Sequence, residues 1–563
     1  MEALEPNLTH NAAGSRRVVA WLLIATFALS ALLIFVRLGH YALWEDEAGT
    51  ALGTKSVLQC GDTQAWVGRN LVAYRGGILL HNLRTEGEPP FCAYFDAPFM
   101  KLLGENALGA RLPFALCGWA TVGLLCWWVW RWRASTLSAS LFCLALLGNV
   151  SFFLYARQCH YYAPATLFFC LIAYLYLQWE GDRRKLALLS LCAALLLSLN
   201  YSFYIVLALC LGVDYLVWQR KVRPLRWGDW GILILPSLVV GLVILAWWNP
   251  FRTGLSQDLY KNTLSDRLTL FWWTWRDLNR SEMIVLPLMV ASVWAAFVSR
   301  TAWLKRGLLA FVVFVAAETA ISSQPLSETS VANVRYFCAL LPLMIALGVF
   351  TLLELAARLR WPGWAVLGLG LGLFWSNFFN GGLFFREGLR CTPWSFVREL
   401  AQPPPDPFTA AAEAIRRFVP EGSTLWVAPN SAVSSLMFHA PQVTFGWVLE
   451  APRQGQFASV PELYFIKKTA PDYVLAFGPV IKDTMAVLDE LPGVFYEPVT
   501  VLNVFWRDLY RPELLWRLFE PVTNFDPEIN GIQLLKKNEL PPPLKVDDTP
   551  APAPSAPSAT SAP

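Results

Sequence analysis

The chain is poor in charge: only 15% of its 563 residues are Asp, Glu, Lys or Arg, against roughly 25% in an average soluble protein. The net charge of +4 is small, and no basic tract accompanies aromatic stacking positions, which argues against a nucleic-acid partner. No pair among the 11 cysteines has zinc-like spacing. No small-residue cleavage site follows the first apolar run; Arg37-Leu38-Gly39-His40 stands there instead, so the run is expected to be retained. No internal repeat is present.

What is abundant is apolar. The chain is 55% hydrophobic, with Trp 27 and Phe 36, and its mean hydropathy is +0.42. These values indicate a polytopic membrane protein, with aromatic rings at the lipid headgroups. Most cysteines, including Cys117, Cys126, Cys143, Cys170, Cys192 and Cys210, fall in apolar runs and act there as small hydrophobes. Cys60 and Cys92 share one predicted loop and could pair in an oxidising compartment.

After Arg16-Arg17, the run Val18–Val36 is long enough to cross a bilayer core of ~30 Å. Further spans are predicted near 110–130, 134–150, 161–179, 186–201, 203–218, 229–248, 283–299, 306–321, 336–354 and 363–380, about eleven in all. With the N-terminus inside, the inner connections carry Arg131 and Arg133, Arg183 to Lys185, Arg220 to Arg226, Arg300 to Arg306, and Arg358 and Arg360. Each obeys the positive-inside rule. The outer connections are then 37–109, 150–160, 249–282 and 322–335. The first holds two predicted surface helices, one from about Asp46 to Gln59 and one from Pro89-Pro90 to Leu103, stopped by Gly104.

The expected fold class is a polytopic α-helical membrane protein with a small C-terminal α/β soluble domain outside. Residues 1–17 form an inner N-terminus, 18–380 the transmembrane part, 381–407 a linker, 408–540 the α/β domain and 541–563 a disordered Pro/Ala-rich tail. Within 408–540, strands are predicted at Thr424–Ala428, Asp472–Ala476 and Val494–Phe505, with helices at Thr409–Phe418 and Ile481–Glu490.

Four outer stretches could carry chemistry. Trp44-Glu45-Asp46-Glu47 places three carboxylates after the first span. They suit a helix start, a general base or a cation site. Glu88-Pro89-Pro90 leads to Asp96 and Lys101, and then to Arg111 at a span mouth. An outer Arg there needs a carboxylate of the same loop or a lipid phosphate, unless it snorkels. Tyr155-Ala-Arg157-Gln-Cys-His160-Tyr161-Tyr162 packs a cation, an imidazole and phenols together, suiting either a phosphate or an aromatic belt. Glu328 through Asn333-Val-Arg335-Tyr336 places another outer Arg, beside a Tyr, at the mouth of a late span.

In this order the motifs resemble the GT-C membrane glycosyltransferases, over roughly residues 18–380. The nearest branch holds the protein mannosyltransferases, the aminoarabinose–lipid A transferases and the RgtA/B/C/D-like enzymes. The resemblance implies transfer of a hexosyl or pentosyl group from a polyprenyl-phosphate sugar to an extracytoplasmic glycan, lipid or protein, in a bacterial inner membrane. It implies Asp46 as catalytic base with Glu47 beside it, and Arg157, Tyr161, Arg335 and Tyr336 on the donor phosphate. Glu45, Glu88, Asp96, Lys101, Arg111 and His160 would support them, and a divalent cation could bridge Glu45, Asp46 or Glu47 to the phosphate. Glu88 stands where many relatives have His, and Asp96 and Glu45 are additional acids. Two other classes compete. Transporters place ionisable groups within spans, where this chain has few beyond Asp214 and Glu318. A non-catalytic assembly protein would use the C-terminal part to recruit partners.

Overall fold

Apolar runs interrupted by capping residues build a helical bundle, and the polar segments between them gather at its two ends. The computed structural model describes residues 12–254, 262–282, 286–299, 302–322, 324, 326, 333–379, 389, 391–447, 455–466, 468–504 and 531–539. The predicted tail 541–563 and the start of the predicted linker, 381–388, lie outside these residues, as does the acidic Glu328.

The first run forms α1 (Ala12–Phe35). The segment 37–109 then folds as α2 (Glu45–Cys60), the short hairpins β1–β2 (Trp66–Val67, Asn70–Leu71) and β3–β4 (Leu80–His81, Arg84–Thr85) flanking α3 (Tyr74–Gly77), and α4 (Phe91–Leu103). Gly61 ends α2 at φ +77° and Gly104 ends α4 at φ +92°, conformations that a side chain disfavours. Both surface helices match their expected bounds closely. The hairpins were not expected, because two-residue strands are too short to show alternation.

The bundle continues with α5 (Ala107–Arg131), α6 (Thr136–Gly148), α7 (Val150–Ala156), α8 (Tyr162–Leu177), α9 (Arg183–Leu199), α10 (Tyr201–Asp214) and α11 (Trp227–Trp247). It closes with α12 (Leu264–Ser281), α13 (Leu286–Val298), α14 (Ala302–Ile321), α15 (Leu341–Leu359) and α16 (Gly363–Trp375). Among the described residues, five helices are long and apolar enough to cross a membrane: Gly14–Phe35, Ala107–Arg131, Tyr201–Gln219, Trp227–Arg252 and Val334–Leu359. A sixth arises if α6 and α7, bent by 59°, form one span, and Tyr162–Leu177, Leu288–Val298 and Gly363–Trp375 are shorter apolar helices. The expected count of about eleven includes these shorter helices and also α9 and α14.

The segment 150–160, expected as a short outer loop, is instead mostly the helix α7, all of whose residues are buried. Asn149 starts it by accepting the Phe152 N–H at 2.8 Å, a cap that redirects the chain without a polar loop. Cys60 and Cys92 are both free thiols, so the conceivable disulfide is not formed. Cys60 donates to the Ser56 carbonyl at 3.2 Å, while Cys92 is buried in α4.

The expected linker contains α17 (Thr392–Ala401), which buries Phe396 and Glu399. Beyond it, α18 (Pro407–Phe418) precedes a five-stranded mixed sheet, and α19 (Val433–His439) lies between its first two strands in sequence. Its strands are β5 (Thr424–Ala428), β6 (Thr444–Gly446), β7 (Tyr473–Phe477), β8 (Val494–Leu502) and β9 (Ile532–Glu539), in the order β6-β5-β7-β9-β8. The helix α20 (Ile481–Asp489) lies where helix was expected. β9 was missed; it pairs antiparallel with both β7 and β8, far earlier in sequence.

This sheet region is bonded to the segment that leads into α2. Ala42 N–H donates to Asp406 Oδ2 at 3.0 Å and Leu43 N–H to His439 Nε2 at 2.8 Å, while Ser435 Oγ donates to the Leu43 carbonyl. Asn70 donates to the Val443 carbonyl at 3.1 Å, and Trp447 Nε1 to the Leu71 carbonyl at 2.7 Å. The C-terminal region therefore holds the backbone three residues ahead of Asp46 from a second side.

Candidate active site

α2 begins at the acidic stretch because Trp44 is extended (φ −86°, ψ 179°) and three carboxylates occupy the first turn. Glu47 accepts the Trp44 N–H at 3.4 Å, and acidic residues at a helix N-terminus meet its positive end. Successive helical residues point about 100° apart, so Asp46 and Glu47 enter different surroundings.

Glu47 is fully buried. Its Oε1 accepts Arg111 Nε at 2.7 Å and the Cys159 N–H at 2.8 Å, and its Oε2 accepts Arg111 Nη2 at 2.6 Å. Arg111 also donates to the carbonyls of Leu38, Tyr41 and Ala42, at 3.0, 2.8 and 2.8 Å. The two side chains tie α5 to the entrance of α2. The Arg at the span mouth has found a carboxylate of its own loop, and Glu47, expected beside Asp46 as a catalytic carboxylate, has both oxygens committed to that tie.

Asp46 is more open. Its side chain keeps 20% of its exposure, and its Oδ2 meets Arg335 Nη1 at 2.8 Å. The Tyr162 hydroxyl donates to the same oxygen at 2.9 Å. The Arg335 guanidinium lies over the rings of Trp44 and Tyr336, at 5.5 and 5.4 Å, a packing that favours a cation. His160 stands nearby, its Nδ1 2.9 Å from Thr50 Oγ1 and its ring 4.2 and 4.7 Å from those of Tyr161 and Tyr162. Burial pushes the His160 imidazole down to about 4, with Arg335 acting in the same sense and Asp46 against it. It is therefore neutral near pH 7 and supplies no charge to a phosphate. The Tyr161 ring packs edge-on against Phe203, with centroids 5.7 Å apart.

Two further acids differ in setting. Glu88 is open to solvent, yet the protein crowded around it, with a smaller push from Asp46, raises its carboxyl to about 7. Asp96 is fully buried in α4 and accepts Thr54 Oγ1 at 3.2 Å. Burial raises it to about 8, against hydrogen bonds from Thr54 and Cys159, so it is a neutral acid near pH 7.

The other expected residues lie apart from Asp46. Arg157 Nη1 donates to the carbonyls of Leu33, Ile34 and Val36 at 2.9, 2.8 and 2.9 Å. Those are unpaired groups at the end of α1, which attract a cation. Arg157 thus belongs to the Glu47 side, where Arg37, Tyr41, Glu47, Arg111, Arg157 and Glu399 line a small cavity of about 40 Å³. Lys101 is exposed in the last turn of α4. The buried lysine is instead Lys55, which meets Glu105 at 3.2 Å and lies 4.2 Å from the Phe438 ring. Tyr162, not singled out from the sequence, belongs to a motif that was; Glu399 carried no sequence signal.

Among the described residues, no three His, Cys, Asp or Glu side chains converge as metal ligands.

A scan against protein-family models finds no match, and no curated protein matches in sequence. Solved structures do match. ArnT from Cupriavidus metallidurans bound to undecaprenyl phosphate is 14% identical at a TM-score of 0.52, covering 92% of this chain and 98% of that one. The same protein in the apo state is 15% identical at a TM-score of 0.51, with the same coverage.

Proposed function

From a chain with the fold of the GT-C membrane glycosyltransferases, we propose an integral-membrane glycosyltransferase that moves a sugar from a polyprenyl-phosphate donor to an extracytoplasmic lipid, polysaccharide or protein. The observation that carries this reading is Asp46, held by Arg335 and Tyr162 where polar segments cap the apolar bundle. In the proposed topology the N-terminus is inside, about eleven spans cross a bacterial inner membrane, and the C-terminal sheet region lies outside on α2. ArnT bound to undecaprenyl phosphate supports a lipid-phosphate donor.

In the reaction, an acceptor hydroxyl gives its proton to Asp46 while its oxygen attacks the anomeric carbon. The bond from that carbon to the phosphate oxygen breaks, and its electron pair leaves with the polyprenyl phosphate. Arg335 turns from Asp46 toward this phosphate and stabilises its growing charge, while the Tyr161 and Tyr336 hydroxyls donate to its oxygens. A preorganised cation at a leaving oxygen contributes several kcal/mol to catalysis. Glu47 and Arg111 fix the helix that presents Asp46, and Arg157 fixes the end of α1.

The test is incubation of the purified protein with radiolabelled polyprenyl-phosphate sugars and a membrane extract as acceptor, with Asp46→Asn alongside. Label transfer by wild type and its loss in the variant are expected. Undiminished transfer by Asp46→Asn would move the base elsewhere. Absence of both transfer and polyprenyl-phosphate binding would overturn the reading.

A further inference from the structure

Four helices carry the Asp46 site at one end and enclose a separate cavity toward the other. α8 begins at Tyr162, α10 follows the cap Asn200, α14 packs against α10, and α15 follows the short 3₁₀ helix Val334–Leu340 that holds Arg335. Farther along these helices, with α5 and α6, lies a cavity of about 450 Å³, in the range that admits a sizeable ligand. An aromatic partition separates it from the site. Phe314 packs against Phe169, Phe203 and Phe337 with centroids at 5.6, 6.3 and 6.1 Å, and Phe203 meets Tyr161 at 5.7 Å.

The lining is mostly apolar, with aromatic rings at Trp128, Trp132 and Tyr174, and three of its residues are charged: Arg131, Arg306 and Asp214. Asp214 accepts Arg306 Nε at 2.8 Å, Arg306 Nη2 at 2.6 Å and the Tyr176 hydroxyl at 2.8 Å. A five-residue π-helix, Tyr215–Gln219, follows immediately. An ion pair set among apolar helices costs desolvation and is a weak source of stability. Ionisable groups and π-helical turns within spans mark binding sites instead. Two arginines against one aspartate leave the lining at +1. Arg131 is exposed at the end of α5, its guanidinium 5.8 Å from the Trp127 ring. An apolar chamber with a cationic, Trp-rich mouth is complementary to an amphiphile with an anionic head. Basic pockets between membrane helices take such lipids.

We propose that this cavity binds one anionic membrane phospholipid, an acyl chain in the chamber and its phosphate at Arg131. The inference rests on reading these helices as membrane-spanning and not on the transfer reaction.

Native mass spectrometry of the delipidated full-length protein tests it, with dioleoylphosphatidylglycerol and dioleoylphosphatidylcholine added in turn. One phosphatidylglycerol adduct should persist under activation that strips phosphatidylcholine. Arg131→Ala should lower its occupancy about tenfold, toward the phosphatidylcholine level, without filling the chamber. Ala173→Phe or Ala346→Phe, both at partly open positions of the lining, should abolish the adduct while circular dichroism and the unfolding temperature show a folded protein. Equal retention of both lipids, or retention in a folded chamber-filling variant, would overturn the proposal. So would displacement of the adduct by polyprenyl phosphate, since the chamber would then hold the donor's tail. An adduct retained by a protein that transfers no sugar leaves this site standing and counts only against the glycosyltransferase.

Discussion

Asp46 and Glu47 are neighbours of like chemistry with opposite placements. Glu47 is fully buried and grips Arg111 with both oxygens, whereas Asp46 stays partly open, with a cation and a phenol on one oxygen. The helix turns them apart, and the partners they meet decide what each can do. Removing Glu47 strands a buried guanidinium; removing the charge of Asp46 leaves the packing in place and takes away a proton acceptor. The two arginines divide the same way. Arg335 meets the carboxylate of Asp46, whereas Arg157 is held by the carbonyls of Leu33, Ile34 and Val36 at the end of α1.

The sharpest way to break this contrast is Glu47→Ala. It leaves Arg111 buried without its carboxylate and should cost about 3–5 kcal/mol, read as a large drop in unfolding temperature or loss of folded protein. A stable Glu47→Ala protein would mean the ion pair holds nothing. Next comes the clamp on the far side of the same segment. His439→Ala removes the acceptor of the Leu43 N–H and should cost about 1–3 kcal/mol. Hydrogen exchange at residues 42–47 should quicken, while His439→Gln restores part of the protection.

A pH experiment contrasts the buried acid of α4 with the open one. Burial raises Asp96 to about 8, above its unfolded value of about 3.9. The folded state thus keeps a proton that the unfolded state releases, and stability falls as pH rises from about 4 to about 8. Asp96→Asn should flatten this dependence across that window in thermal melts. An unchanged slope would show that Asp96 is ionised when folded. The smallest effect is expected at Lys101→Ala, within about 0.5 kcal/mol and without loss of transfer, because Lys101 is exposed.

The features readable from sequence are those set by local rules. The apolar runs and the two helices of the segment 37–109 follow from composition and caps. That Arg111 takes a loop carboxylate was one of three readings open in the sequence, beside a lipid phosphate and snorkelling. Which carboxylate it takes was not legible, because Glu47 lies 64 positions away and its neighbour Asp46 is chemically equivalent in a one-dimensional reading. The contacts of Arg157 were hidden for the same reason: it follows a buried helix that looks like a loop in sequence, and it donates to backbone carbonyls more than a hundred positions earlier. The clamp by Asp406 and His439 spans 364 and 396 positions, and nothing local announces it. β9 is unreadable on the same grounds, as its partners determine it.

One measurement tests the division of labour most directly: label transfer and unfolding temperature determined together for Asp46→Asn and Glu47→Gln. Asp46→Asn should keep the wild-type unfolding temperature and lose transfer by about 10²–10⁴-fold, the size of a general-base contribution. Glu47→Gln should melt earlier and retain most of its transfer per folded molecule. The reverse pattern, with Glu47→Gln stable but inactive and Asp46→Asn active, would contradict the account and make Glu47 the catalytic carboxylate.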